Sequence, residues 1–133
     1  MTLPQVTTKP SSSRGARIGF WVVAALGVPA AAVAWTWYGF AQFEAQTEQS
    51  KALAAGTSMA GFGEALGGVP LALAHVVELV TLLVLGWSGY RGRGIVLAIA
   101  AVLISSAIGI GGAQLLWAGE LFQLGINNDT YVP

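Results

Sequence analysis

The chain contains no cysteine, so disulfides, iron–sulfur ligation and thiol chemistry are excluded at the outset. It contains one histidine, His75, which excludes a haem held by two histidines of one chain and the two-histidine zinc motifs. Charge is scarce as well: six Lys and Arg and six Asp and Glu, 9% of 133 residues, with a net charge of zero. Soluble domains carry about a quarter of their residues as charges, and a nucleic-acid partner would need a basic patch that is not there. No metal cluster, nucleophile–base pair or other catalytic motif is visible, so neither an enzyme nor a cofactor is expected. What fills the chain instead is apolar: 55% of residues are hydrophobic, 18 are glycine, and the mean hydropathy is +0.68. Abundant Ala and Gly suit close helix packing in lipid.

Three apolar runs stand out, uncharged but for Glu78 in the second. Residues 18–40, `IGFWVVAALGVPAAAVAWTWYGF`, residues 69–87, and residues 95–117 each supply the ~20 apolar residues that a membrane span requires. The expected fold is therefore all-α, a small integral membrane protein with three transmembrane helices. Residues 1–17, rich in Ser, Thr and Pro and without an acid, read as a disordered basic tail. Pro29 near the middle of the first span frees the carbonyl of Ala25 and predicts a kink. Residues 41–68 read as a short helical continuation and then a glycine-broken segment, with Met59, Phe62 and Leu66 on one face; a re-entrant loop over 52–68 is the alternative. Pro70 suits a first helical turn. Residues 88–94, `SGYRGRG`, form a tight basic turn, and residues 118–133 an acidic, partly ordered tail. A second reading takes Ala32-Val33-Ala34 as the cleavage site of a secretory signal, leaving two spans. The apolar run continuing to Phe40, with bulky Trp35 and Trp37 just beyond the site, favours an uncleaved helix.

Five of the six cations (Lys9, Arg14, Arg17, Arg91, Arg93) fall before the first span or between the second and third, while all acids but Glu78 fall in the opposite segments. The positive-inside rule then predicts the N-terminus inside and the C-terminus outside, in a plasma membrane, the bacterial inner membrane by the look of the chain. Trp21, Trp87 and Tyr90 would mark one interface, and Trp35, Trp37, Tyr38 and Trp117 the other. Arg91 and Arg93 are placed to meet lipid phosphates.

The second span carries the chemistry. Glu78 is its midpoint, and an ionised side chain at the bilayer centre costs about 2.5 kcal/mol or more, so it needs a partner. His75 lies one turn away on the same face. Thr81, and Ser105 and Ser106 at the middle of the third span, lie at similar depth, which predicts an intramembrane polar cluster of Glu78, His75, Thr81, Ser105 and Ser106. Two accounts of it stand: hydrogen-bonded glue fixing helix register, or a proton or ion relay or a contact to a quinone-like ligand. Ala101, Ser105, Gly109 and Ala113 repeat at four-residue spacing, a stripe along which another helix can approach closely. The `GIGGA` stretch at 109–113 has no preceding strand and is no dinucleotide loop. Asn128-Asp129-Thr130 matches a glycosylation sequon by chance in a bacterial-looking chain.

Residues 68–107, `GVPLALAHVVELVTLLVLG` followed by `YRGRGIVLAIAAVLISSA`, resemble the DoxX-like family of small bacterial membrane proteins. The likeness rests on Gly68, Pro70, Glu78, Leu79, Val80, Arg91 and Arg93. The family typically has four spans, and the Gly-Lys feature usual after its first helix is here `GFAQF`. The resemblance implies a redox-associated or accessory membrane subunit, with Glu78 as the carried-over polar position. Two functions are therefore expected: an accessory or structural subunit of a larger membrane complex, bound to other membrane protein subunits or itself through the small-residue stripe of the third span, or a small homo-oligomeric transporter or channel using the Glu78/His75 pair.

Overall fold

The computed structural model describes residues 2–5 and 12–125. Helix α1 spans Ser12–Ala54, α2 Val69–Tyr90 and α3 Gly92–Leu116, with a π-helical turn at Glu64–Gly68 leading into α2. All three helices are long and apolar enough to cross a membrane, and the protein is a multi-pass membrane protein. Of the stretch read as a disordered tail, residues 1 and 6–11 lie outside the described set, and residues 12–17 are not tail at all, because α1 already begins at Ser12. At 1.5 Å per residue, the 43 residues of α1 extend over about 65 Å, twice the ~30 Å hydrocarbon layer. The helix runs on through Pro29 and ends at Ala54, where Gly56 takes a positive φ of 76°.

Contacts fix the order of the bundle. Along α1 the partners on α2 and the turn before it run backwards, from Arg17 beside Gly89 through Gly27 beside Glu78 to Tyr38 beside Gly67. Those on α3 run forwards, from Ala31 beside Gly109 to Gly39 beside Trp117. The result is an up–down–up bundle. Its seams are lined by small residues: Gly86 and Gly94 bring the α2 and α3 backbones together, and Gly109 meets the Ala31 backbone, where an added Cβ would stand 2.8 Å from the carbonyl carbon. The large side chains point the other way. Val76, Val77, Val80, Val84, Ile104 and Leu115 are all exposed, whereas the only large apolar side chains with almost no exposure among the described residues are Phe20, Leu82 and Leu121. A water-soluble bundle places its large apolar side chains inside. Small residues inside and large ones outside is the arrangement expected where lipid, not water, is the solvent and packing drives association.

Pro70 shapes the start of α2. It has no N–H to give the carbonyl four residues back, and its ring crowds that carbonyl. The chain accommodates this with the wider turn before it, in which the Val69 N–H reaches the Glu64 carbonyl, and the freed Leu66 carbonyl accepts the Trp37 indole N–H at 2.7 Å. A proline thus creates the acceptor that ties α1 to the connector.

The two ends of the bundle are closed differently. At one end, Arg17 Nε donates to the Gly89 carbonyl at 2.8 Å, its guanidinium lies 4.9 Å from the Tyr90 ring centroid, and Trp21 donates to the Tyr90 hydroxyl at 2.8 Å. Arg17→Ala should lower thermal stability in detergent by about 1 kcal/mol, the worth of one such bond; an unchanged melting temperature would show the contact to be idle. At the other end, Gln49 accepts from the Met59 N–H at 2.7 Å, and its amide donates to Ser58. Lys51 is held by Glu48 at 2.7 Å, a hydrogen bond that raises its pKa above the ordinary lysine value. The described part of the C-terminal segment is not loose: Leu121 is fully buried, its N–H bonds Gln114 Oε1, and the Gly125 N–H reaches Gln46 Oε1 at 3.0 Å. Residues 126–133, including the sequon, lie outside the described residues.

Candidate functional site

The middle layer of the bundle is built by one residue from each helix, each within two positions of the centre of its apolar run: Gly27, Glu78 and Ser105. Ser105 Oγ donates to Glu78 Oε1 at 2.9 Å and also approaches the Val102 carbonyl at 3.0 Å. The carboxylate lies flat against Gly27, in space that any larger residue's Cβ would occupy. Ser105 is 1% exposed and Glu78 half-buried. The stripe places its serine here because four-residue spacing brings Ala101, Ser105, Gly109 and Ala113 onto one helix face. That stripe is internal. Ser105, Gly109 and Ala113 are buried within the bundle, with Gly109 against α1, so the close approach it encodes is between helices of the same chain. To one side Ala31 packs on Gly109, and to the other lie the apolar Phe20, Leu82 and Ala98.

Of the predicted cluster, only Glu78 and Ser105 are joined. His75 Nδ1 lies 2.8 Å from the Leu71 carbonyl. A carbonyl only accepts, so Nδ1 carries the proton, and in the neutral ring Nε2 is the bare acceptor. Nε2 is buried and finds no hydrogen-bond partner among the described residues. The imidazole instead meets the Trp35 indole edge-on, centroids 6.2 Å apart. Ser106 joins this second group and not the first, because its hydroxyl accepts the Trp35 indole N–H at 3.1 Å. Thr81 belongs to neither: its hydroxyl donates to the Val77 carbonyl of its own helix at 2.7 Å. Arg91 and Arg93 are exposed at the α2–α3 turn, and Arg91 bridges the helices at a φ of 56°.

Sequence reasoning missed the aromatic cluster around Trp35, which also meets Tyr38 at 5.7 Å and Phe122 at 5.9 Å. It missed Gln42 and Gln49 too, buried polar residues of α1 at 3% and 4% exposure. Their seven-residue spacing on a helix that outruns the apolar stretch was the available signal. No group of residues able to hold a metal occurs among the described residues. No protein-family profile, curated protein or solved structure matches the chain.

Proposed function

We propose that the protein is a non-catalytic accessory subunit of a larger membrane complex, with its N-terminus cytoplasmic and its C-terminus outside, in the bacterial inner membrane. The observation that carries this reading is the bond from Ser105 to Glu78, which joins α3 to α2 within the chain. Glu78 Oε1 accepts from Ser105 and the carboxyl packs on Gly27 of α1, while His75 turns to the Leu71 carbonyl of its own helix, which suits an acid that fixes helix register more than one that passes protons on. What remains for contact is the apolar exterior. Since the α3 stripe is already occupied by α1, the better docking seam is the shallow groove between α1 and α2, whose alanines Ala30, Ala34 and Ala74 lie between Pro29 and Pro70 and are flanked by Val33 and Trp37; the alanines let another helix come close. The resemblance of residues 68–107 to the DoxX-like family points to the same kind of role.

Extraction in mild detergent followed by mass spectrometry should recover larger membrane proteins in fixed ratio with the chain. Ala74→Trp, which fills the groove from an exposed position, should release them without lowering the chain's own melting temperature. A chain that is extracted alone sinks the proposal. One observation favours the second reading, a small homo-oligomeric transporter: the unpartnered His75 Nε2, an acceptor buried close to the membrane midplane. That reading requires pH-dependent flux in liposomes that Glu78→Gln abolishes.

A further inference from the structure

Where α1 leaves the apolar run, it forms one wall of a groove of about 450 Å³, within the usual range of roughly 300–1,000 Å³ for small-molecule sites. Trp37, Phe40, Phe43 and Glu44 come from α1, while Phe62 and Leu66 come from the connector. The far wall is held in place: Trp37 is bonded to the Leu66 carbonyl, Gln49 fastens Met59, and the Gln42 side chain lies against Gly63. The π-helical turn Glu64–Gly68 carries Leu66, and such turns recur at functional sites. A second shallow groove, lined by Ala32, Val33 and Thr36, shares Trp37 and Phe40 with the first. Together they make one apolar track from Ala32 to Glu44. Along a helix that distance is about 18 Å, against about 15 Å for the hydrocarbon of one leaflet.

Thr36 apart, the track is lined by apolar and aromatic side chains, and it ends on the Glu44 carboxylate. Glu48 is occupied by Lys51, whereas Glu44 makes no ion pair among the described residues. Glu64 and Glu120 are exposed at the same end, and Lys51 is the only described cation there. An anionic headgroup would meet repulsion and no free cation, while an ammonium would meet the Glu44 carboxylate.

We propose that this track is a binding site for a membrane phospholipid with an ammonium headgroup, its acyl chain lying along Ala32–Phe40 and its ammonium on Glu44. The inference is independent of the subunit role. The site selects against anionic lipids, and the lipid bridges α1 and the connector at the membrane boundary.

The test uses the full chain in nanodiscs holding equal parts of phosphatidylethanolamine and phosphatidylglycerol with identical acyl chains. The chain is then released into gentle detergent, and retained lipid is read by native mass spectrometry. The chain should retain phosphatidylethanolamine over phosphatidylglycerol by about five-fold, the upper reach of an exposed charge pair. Glu44→Gln should remove the preference and Glu44→Lys should reverse it; both changes are at an exposed position and leave the bundle interior untouched. Glu120→Gln, outside the groove, should retain the preference. Equal retention of both lipids by the unaltered chain, preference for the anionic lipid, a retained polypeptide in place of lipid, or loss of preference in Glu120→Gln as large as in Glu44→Gln would each overturn the assignment.

Discussion

Gly109→Leu should force α3 away from α1 and cost about 3 kcal/mol of the bundle's stability. A Cβ at this position would stand 2.8 Å from the Ala31 carbonyl carbon, 2.9 Å from its oxygen and 3.0 Å from its Cβ. The obstruction is mostly backbone, so no rotamer change relieves it, and the helices must move apart along the whole seam. Overpacking a well-filled site costs about 1–3 kcal/mol and occasionally more; with two backbones in contact the expected loss is about 3 kcal/mol. Gly111→Leu provides the control. Nothing lies within 4 Å of a Cβ at Gly111, and leucine is the better helix former by just under 1 kcal/mol, so this variant should melt at the original temperature or slightly above it. Thermal unfolding of the two variants in one detergent decides the matter. If they melt together, Gly109 is not the contact between α1 and α3.

The second large effect is an asymmetry at mid-depth. Ser105→Ala removes the donor and leaves the Glu78 carboxyl without its partner in the bundle interior, whereas Glu78→Leu removes the polar group itself. Leaving a buried acceptor unsatisfied costs about 1–3 kcal/mol, although hydrogen bonds measured within membranes reach only about 1.7 kcal/mol, so Ser105→Ala should destabilise by about 1–2 kcal/mol. Replacing a buried ionisable group by an apolar one of similar volume is often neutral or stabilising, by about 1–4 kcal/mol, so Glu78→Leu should melt no lower than the unaltered chain. In Glu78→Leu, adding Ser105→Ala should cost little more. The opposite ranking, with Glu78→Leu the more damaging, would mean that the carboxylate holds something besides Ser105, as a relay or ligand site requires.

The three spans were legible because a run of about twenty uncharged residues has few alternatives to a membrane helix. The ends of α1 were not. Ser12 and Ala54 lie outside the apolar run, where helix formation depends on local propensity and on contacts such as Arg17 with Gly89 and Gln49 with Met59, made with partners far along the chain or across a turn. Depth correctly paired Glu78 with Ser105. It misjudged Thr81 and His75 because the carbonyl four residues back is always within reach of a helical side chain and competes with any cross-helix partner. Small-residue spacing correctly announced a close approach at Gly109, yet such a stripe has no mark of ownership: it reads the same whether the neighbouring helix belongs to the same chain or another. The folded-back segment at Leu121 was illegible because its anchors, Gln114 and Gln46, are ordinary-looking amides whose role depends on where two distant backbone N–H groups arrive.

An inventory of tolerated substitutions along this chain should run opposite to that of a globular enzyme of equal length. At Val76, Val80 or Ile104, which are exposed on the helices and so turned to the lipid solvent, Val, Ile, Leu and Phe should interchange almost freely. At Ala31, Ala98 and Ala113, among the most enclosed positions, even one added methylene has nowhere to go. Sequence drift would then gather on the bulky positions, and the alanines and glycines, usually dismissed as filler, would be the slowest to change.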